Sequence, residues 1–308
     1  MGIDLSKVLV VGISSRALFD LEDENKIFEN QPLETYIKYQ IDHENVFLNK
    51  GTAFPLIEAL LKLNNLYEGE KLVEVIVMSR NSPDTGLRIL NSIKHYGLDI
   101  SRSAFAGGEP LSPYLDAFKV DLFLSKDEDD VQYAIDNGVA AALLYDPPKD
   151  YVPDTENIRI AFDADAVIFS DESEQIFKEK GLEAFQKHES ENEDVPIPPG
   201  NFRNFINILS GIQKKCGIEK SPLKIAIVTA RSYPANIRII KTLRNWGVYV
   251  NESFFLGGLK KEEVLKAFRP HIFFDDQDVH AGPASKHVPS GRVPYKSSSK
   301  LNSKRQEK

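Results

Sequence analysis

The sequence predicts an α/β protein that contains one doubly wound, parallel-sheet unit twice. Three observations carry that expectation. Short apolar runs alternate with helical stretches along the chain, as in strands joined by crossover helices. Shifting the sequence by 150 positions lays residues 75–110 over residues 225–260. Each copy also ends a helix on a glycine, Gly97 or Gly247, the residue best suited to the left-handed turn after a helix.

Residues 8–11 read as a buried strand, with helical segments after them and a second strand over 73–78. A helix over 84–96, a further helix and a third strand over 120–124 complete the first copy. The second copy repeats this with strands over 158–162, 224–228 and 271–274 and a helix over 234–246. Continuous apolar runs of this length suit strands covered on both faces. The repeat keeps Ser82, Arg88, Ile89, Gly97, Ser103, Phe105, Gly107 and Gly108 as Ser232, Arg238, Ile239, Gly247, Ser253, Phe255, Gly257 and Gly258. A shift of 149 matches Ala17, Ile27 and Phe28 to Ala166, Ile176 and Phe177, and one of 150 puts residues 122–124 over 272–274. Two unrelated α/β segments would share the glycine and strand pattern but would not keep nearly one register through three blocks. The unit is too long for a solenoid repeat. The expected organisation is residues 1–148, residues 149–295 and a flexible basic tail, 296–308. The linker lies near Tyr145-Asp146-Pro147-Pro148-Lys149-Asp150, where adjacent prolines end regular structure.

Composition narrows the function. The 308 residues are 42% hydrophobic and 27% charged, ordinary globular values that exclude a collagenous or wholly disordered chain. Thirty-eight basic against 46 acidic side chains leave a net charge of −8, which argues against coating a nucleic-acid polymer. A single cysteine, Cys216, excludes a disulfide framework and a multi-cysteine zinc site and fits a reducing, cytoplasmic setting. No apolar run approaches the roughly 20 residues of a membrane span, and the N-terminus lacks the pattern of a secretory signal. Met1-Gly2-Ile3-Asp4-Leu5-Ser6 fits a loose myristoylation pattern, but six residues match easily by chance and a strand follows at once.

Ligands of doubly wound sheets bind beyond the carboxyl ends of the strands, and there the copies differ. In the second copy the first strand runs into Asp163-Ala164-Asp165 and on to Asp171, and the second into Thr229-Ala230-Arg231-Ser232. Lys260-Lys261 follows the double glycine, and the third strand ends in Asp275-Asp276. This ordered set resembles the haloacid dehalogenase superfamily of phosphatases and phosphotransferases: Asp-x-Asp, then Ser or Thr, then Lys, then paired acids. Together with Ser14-Ser15-Arg16-Ala17-Leu18-Phe19, His43-Glu44-Asn45 and the run from Arg269 to Gln277, the chain is similar to the cytosolic type I 5′-nucleotidases from about residue 7 to Tyr295.

The resemblance implies two tandem, doubly wound, Rossmann-like domains of the haloacid-dehalogenase type. It also implies an enzyme that takes a small nucleotide substrate, AMP first, then IMP and deoxynucleotides, with Mg²⁺ as cofactor. Asp163 is then the nucleophile that becomes an aspartyl phosphate. Asp165 protonates the leaving oxygen and later activates water, a role that calls for a carboxyl whose proton affinity is raised. Thr229 holds phosphoryl oxygens and Lys261 balances negative charge, with Lys260 the alternative if the register is off by one. Mg²⁺ takes oxygen ligands, from Asp163, from Asp165 through its backbone carbonyl, and from one or both of Asp275 and Asp276. Ala230, Arg231, Ser232 and Asp171 are candidates for substrate contact or loop support. Asp278 falls outside the pattern and reads as loop. Read without the resemblance, Asp163 and Asp165 are turn or cap residues, Thr229 is an N-cap and Lys261 is a solvated lysine.

By the 149 and 150 shifts the first copy has Ser14 for Asp163, Arg16 for Asp165, Ser79 for Thr229 and Ser125-Lys126 for Asp275-Asp276. Serine without a positioned base does not replace the carboxylate, and arginine is no proton shuttle, so this copy is expected to be inactive. Arg16, Lys126 and residues 79–82 are candidates for holding an anion, against the plainer reading of a packing partner. A haloacid-dehalogenase phosphatase of sugar phosphates and a non-catalytic nucleotide sensor are the alternative functions. Whether the chain pairs with copies of itself is left open.

Overall fold

In a computed structural model, residues 4–67 and 69–302 are described; the myristoylation pattern begins, and the basic tail ends, outside them. Ten strands form the main sheet: β1 (Leu9–Ser14), β2 (Val73–Ser79), β3 (Arg102–Phe105), β4 (Leu122–Ser125), β5 (Ala140–Leu144), β6 (Ile158–Phe162), β7 (Leu223–Thr229), β8 (Glu252–Phe255), β9 (Ile272–Asp275) and β10 (Ser290–Arg292). Their order is β8-β7-β6-β9-β10-β5-β4-β1-β2-β3. Each half therefore orders its five strands alike, counted outward from the centre of the sheet.

The register agrees residue by residue. Ile13 pairs with Val77 and Leu124 in the first half, and Phe162 pairs with Ile227 and Phe274 in the second. The pairings are parallel except at the centre, where β10 meets β5 antiparallel through Gly291–Leu144 and Arg292–Leu143. The sequence led us to expect a separate sheet in each half. Instead the two form one, because β5 and β10 satisfy each other's open backbone edge. Gly291 permits the approach: a Cβ there would lie 2.9 Å from Ala142 Cβ and from Leu144 Cδ2.

Four strands of the main sheet were not read from the sequence, nor was the two-stranded ribbon of Phe19–Asp20 with Asn49–Lys50. β3 and β8 are short outer edges in which no residue is fully buried, so they lack the apolar run that marks a buried strand. β5 has the sequence AAALL, which favours helix as much as strand, and β10 has three residues. The helices expected over 84–96 and 234–246 form as Leu87–His95 and Asn236–Trp246, with Gly97 and Gly247 at φ +64° and +67°.

The core crosses the midline. Helix Phe54–Lys62 packs on β2 and also on β6, while helix Arg203–Cys216 packs on β7 and also on β1. One continuous apolar cluster follows, from Leu9 and Phe54 through Phe162, Phe205 and Phe274. The linker after β5 is likewise tied down, with Tyr145 N donating to Ser290 O. Among the described residues no helix is long and apolar enough to cross a membrane.

Each half threads one glycine against the loop that follows its first strand. A Cβ on Gly200 would lie 2.3 Å from Phe169 O and 2.6 Å from Val167 O, and one on Gly51 would lie 2.8 Å from Ala17 O. Backbone cannot step aside as a flexible side chain can. Gly200→Ala is expected to destabilise the fold by about 1–3 kcal/mol, as overpacking does. Gly211→Ala, in a helix with open space around it, should stabilise by about 0.5–1 kcal/mol. Urea midpoints of the two variants provide the comparison; equal midpoints would contradict the close approach.

Candidate active site

The carboxyl ends of β6, β7 and β9 lie side by side, and the predicted residues gather there. Asp163 follows β6 directly, and its amide donates to Phe274 O at 2.7 Å. Asp275 ends β9 and Asp276 follows it. Asp163, Asp275 and Asp276 are buried, and each offers a carboxylate oxygen within 4.8 Å of those of the other two. Lys261, first residue of helix Lys261–Phe268, is buried between them, its Nζ 2.9 Å from Asp163 Oδ1 and 2.7 Å from Asp275 Oδ2. Lys260 is exposed, so Lys261 is the lysine that joins the cluster.

Burial dominates the electrostatics here. It raises Asp163, against the opposing pull of Lys261 and with further upward pressure from Asp275 and Asp165, to about 6. Burial raises Asp275 too, and it pushes Asp276 well above the usual carboxylate range, reinforced by Asp275 and Asp163. Lys261 would be depressed by burial alone, but Asp163 and Asp275 more than offset this and raise it. Three carboxylates against one ammonium is an unbalanced set of charges. Asp276 Oδ1 adds a buried acceptor without a hydrogen-bond partner. An all-oxygen donor set with surplus negative charge and an unused oxygen fits a hard divalent cation such as Mg²⁺.

Asp165 was expected to reach metal only through its backbone carbonyl, and its side chain is engaged elsewhere. Its side chain lies outside the carboxylate trio and is gripped by Arg231, with Nε–Oδ2 at 2.8 Å and Nη2–Oδ1 at 2.6 Å. The turn that carries it is irregular, with Asp165 at ψ 140° and Ala166 at φ +58°. Arg231 is itself buried. It also donates to Glu189 and to Ala235 O, and it lies over the Phe185 ring. Expected either to contact substrate or to support the loop, Arg231 here holds the two acids Asp165 and Glu189.

Thr229 ends β7, fully buried, and its Oγ1 accepts from Arg231 N at 3.2 Å. Beyond it Ala230 is exposed and Ser232 half-buried. Asp171 precedes helix Glu172–Glu191 and accepts from Ser299 Oγ. Asp278 begins helix Asp278–Ser285, not a loop, and accepts from Tyr145 OH away from the trio.

Three residues at or beside the site escaped the sequence reading. Tyr295 donates its hydroxyl to Asp276 Oδ2. Glu174 accepts from Gln277 Nε2 at 3.2 Å and is raised chiefly by burial. Glu189, buried, accepts from Ser173 Oγ at 2.8 Å and from Arg238 Nη1 at 3.0 Å besides Arg231. No motif marks Glu189; it follows a helical charge pattern that reads as solvated. Residues 296–302, expected to begin a flexible tail, make defined contacts: Ser297 binds Asp136 and Asn302 Nδ2 donates to Tyr295 O. A cavity of about 400 Å³ lies between this segment and the loop after Asp165, lined by Ala166, Ser170, Asp171, Gln175, Tyr295 and Lys300. A larger one, about 940 Å³, opens beside Leu9 and Leu72 at the amino ends of the strands, the wrong end for the chemistry.

The sequence profile of the 5′-nucleotidase family matches residues 1–300. Human cytosolic 5′-nucleotidase 1B is 39% identical over 282 residues, covering 88% of this chain. The chain spans about half, 46%, of that relative's length. A chain of the solved Pnkp1/Rnl/Hen1 complex is 11% identical with a TM-score of 0.34, covering 94% of this chain and 97% of its own; that likeness carries no argument.

Removing a carboxylate that serves two buried guanidiniums leaves charge uncompensated. Glu189→Ala is expected to cost about 3–5 kcal/mol, the range for breaking a buried pair from one side. Denaturant unfolding measures it, and a loss below about 1 kcal/mol, the scale of a surface pair, would contradict the buried network.

Proposed function

The chain belongs to the 5′-nucleotidase family, and from that membership we propose that it hydrolyses nucleoside 5′-monophosphates, AMP first and then IMP and deoxynucleotides. Products are the nucleoside and inorganic phosphate. The observation that carries the reading is the buried trio Asp163, Asp275 and Asp276, two of whose members, Asp163 and Asp275, are bound to Lys261.

Asp163, in this reading, attacks phosphorus; the bond from phosphorus to the nucleoside O5′ breaks as an aspartyl phosphate forms. Asp165 gives its proton to O5′, then takes one from the water that attacks phosphorus and frees Asp163. To do so its side chain leaves Arg231, which Glu189 keeps in place. Thr229 Oγ1 and the loop amides after it hold phosphoryl oxygens, and Lys261 offsets the negative charge gathered between Asp163 and Asp275. Asp163, Asp275 and Asp276, with the Asp165 carbonyl, would hold Mg²⁺, which supplies charge neutralisation at the phosphoryl group. Asp171, Ala230 and Ser232 line the approach for substrate.

We also propose that the halves, 1–148 and 149–295, are tandem copies of one haloacid-dehalogenase-like domain. Equal strand order and equal register support that. A cytosolic setting is proposed from the relative's name.

Phosphate release from a panel of monophosphates, with Mg²⁺ or with chelator, tests the function. Release from AMP should require Mg²⁺, and Asp163→Asn should lower it on the order of 10³-fold or more, as loss of a nucleophile does. Faster release from sugar phosphates would reassign the substrate, and absence of any Mg²⁺-dependent turnover would favour a nucleotide sensor.

A further inference from the structure

The first half has a cavity of about 290 Å³ at the carboxyl ends of β1, β2 and β4, with Ser14, Arg16, Phe28, Tyr36, Ser79 and Lys126 in its wall. Its floor corresponds to the active site of the other half. In register, Ser14 stands for Asp163, Ser79 for Thr229, Leu111 for Lys261, Ser125 for Asp275 and Lys126 for Asp276. The backbone detail is kept: Asn81 N donates to Ser79 Oγ at 3.2 Å, as Arg231 N does to Thr229 Oγ1 at 3.2 Å.

The charge is inverted. Where the second half sets three carboxylates around one ammonium, the first sets three serines beside Lys126, with Arg16 in the place of Asp165. A site of the first kind needs a cation before it accepts a phosphate, whereas the second kind attracts a phosphate directly. The Lys126 side chain is only 7% exposed, and its ammonium meets Glu22 at 2.8 Å and Asp146 at 2.6 Å. Those acids are 38% and 82% exposed, so solvent can receive them when another anion takes the ammonium. The same Glu22 also meets Arg16 Nη2, at 3.3 Å, while Arg16 Nε is buried without a hydrogen-bond partner among the described residues.

Other acids in the wall are already engaged: Glu24 by Arg88 at 2.6 Å, and Asp127 and Asp130 by Arg80 at 3.1 and 2.9 Å. Glu29 is exposed and takes a hydrogen bond from Asn25. Across the cavity Phe28 meets Tyr36 edge-on, centroids 5.3 Å apart, and Phe28 is 52% exposed. A half-open aromatic face suits a nucleobase.

We propose that this cavity is a second nucleotide site, one that binds a nucleoside monophosphate without metal and does not hydrolyse it. Its phosphoryl oxygens meet Lys126, Arg16 and the serine hydroxyls, and its base lies on Phe28. The choice of a nucleoside phosphate rests on the proposed function; the site's sign of charge does not.

Equilibrium dialysis of the full chain with labelled AMP in excess chelator tests it, because binding is then read without turnover. One AMP per chain should bind. Lys126→Ala and Phe28→Ala should each weaken it at least tenfold, while Asp163→Asn retains it. Phe28 is exposed, so its variant should keep the parent's melting temperature and guard against misreading an unfolded Lys126 variant. Absence of binding in chelator, or binding that survives both cavity variants, overturns the proposal. Inorganic phosphate displacing AMP at equal concentration overturns its nucleoside part. Loss of this binding leaves hydrolysis at Asp163 untouched, and an inactive enzyme that still binds AMP in chelator refutes only the proposed reaction.

Discussion

The ammonium of Lys261, shared between Asp163 and Asp275, is the contact around which the carboxyl-end geometry is arranged. β6 and β9 are direct neighbours, so the residues at their ends fall about one strand spacing apart. Carboxylates that close, buried, repel each other and lose hydration; each effect raises their proton affinity. A buried lysine from a third element answers both, and it does so only because helix Lys261–Phe268 begins over the same strand ends. The one ammonium still leaves two negative charges unbalanced. That residue of charge separates a cluster able to hold a cation from a merely structural ion pair.

The halves handle a second buried charge in different ways. Arg88 and Arg238 occupy equivalent places, and each donates through Nε to a loop carbonyl, of Val46 or Val195, at 2.8 Å. In the first half the balancing acid is Glu24, with Gln40 beside it. In the second it is Glu189, at the place equivalent to Gln40, with Ser173 at the place of Glu24. The acid sits at a different position in each half while the arginine keeps its place. At Glu189 it also holds Arg231, and Asn81 stands at the equivalent position of the first half.

Those exchanges explain what the sequence made legible. Strands buried on both faces, the glycine caps, and the acids and lysine at strand ends all leave local patterns. The pairing of β5 with β10 leaves none, because it depends on two edges meeting and on Gly291 lacking a side chain. The roles of Glu189 and Tyr295 were invisible for a related reason: each depends on a partner more than fifteen residues away, Glu189 from a stretch that reads as an ordinary polar helix and Tyr295 from the last residue before the tail. The choice between Lys260 and Lys261 turned on which side chain points inward, which helix phase decides and composition does not.

Asp165 shows how positional fixity is divided in the proposed chemistry. Arg231 is held from three sides, by Glu189, by Ala235 O and by the Phe185 ring, and Asp165 is a fourth. Releasing Asp165 therefore leaves the guanidinium seated. Among the described residues the Asp165 side chain is held by Arg231 alone, and it sits on a turn whose backbone is non-helical at two successive residues. Of the two partners the acid is the one free to turn, and a proton donor has to turn toward the leaving oxygen. The rigid member of the pair then defines where the mobile one rests between turnovers, and Glu189, remote from phosphorus, is what makes it rigid.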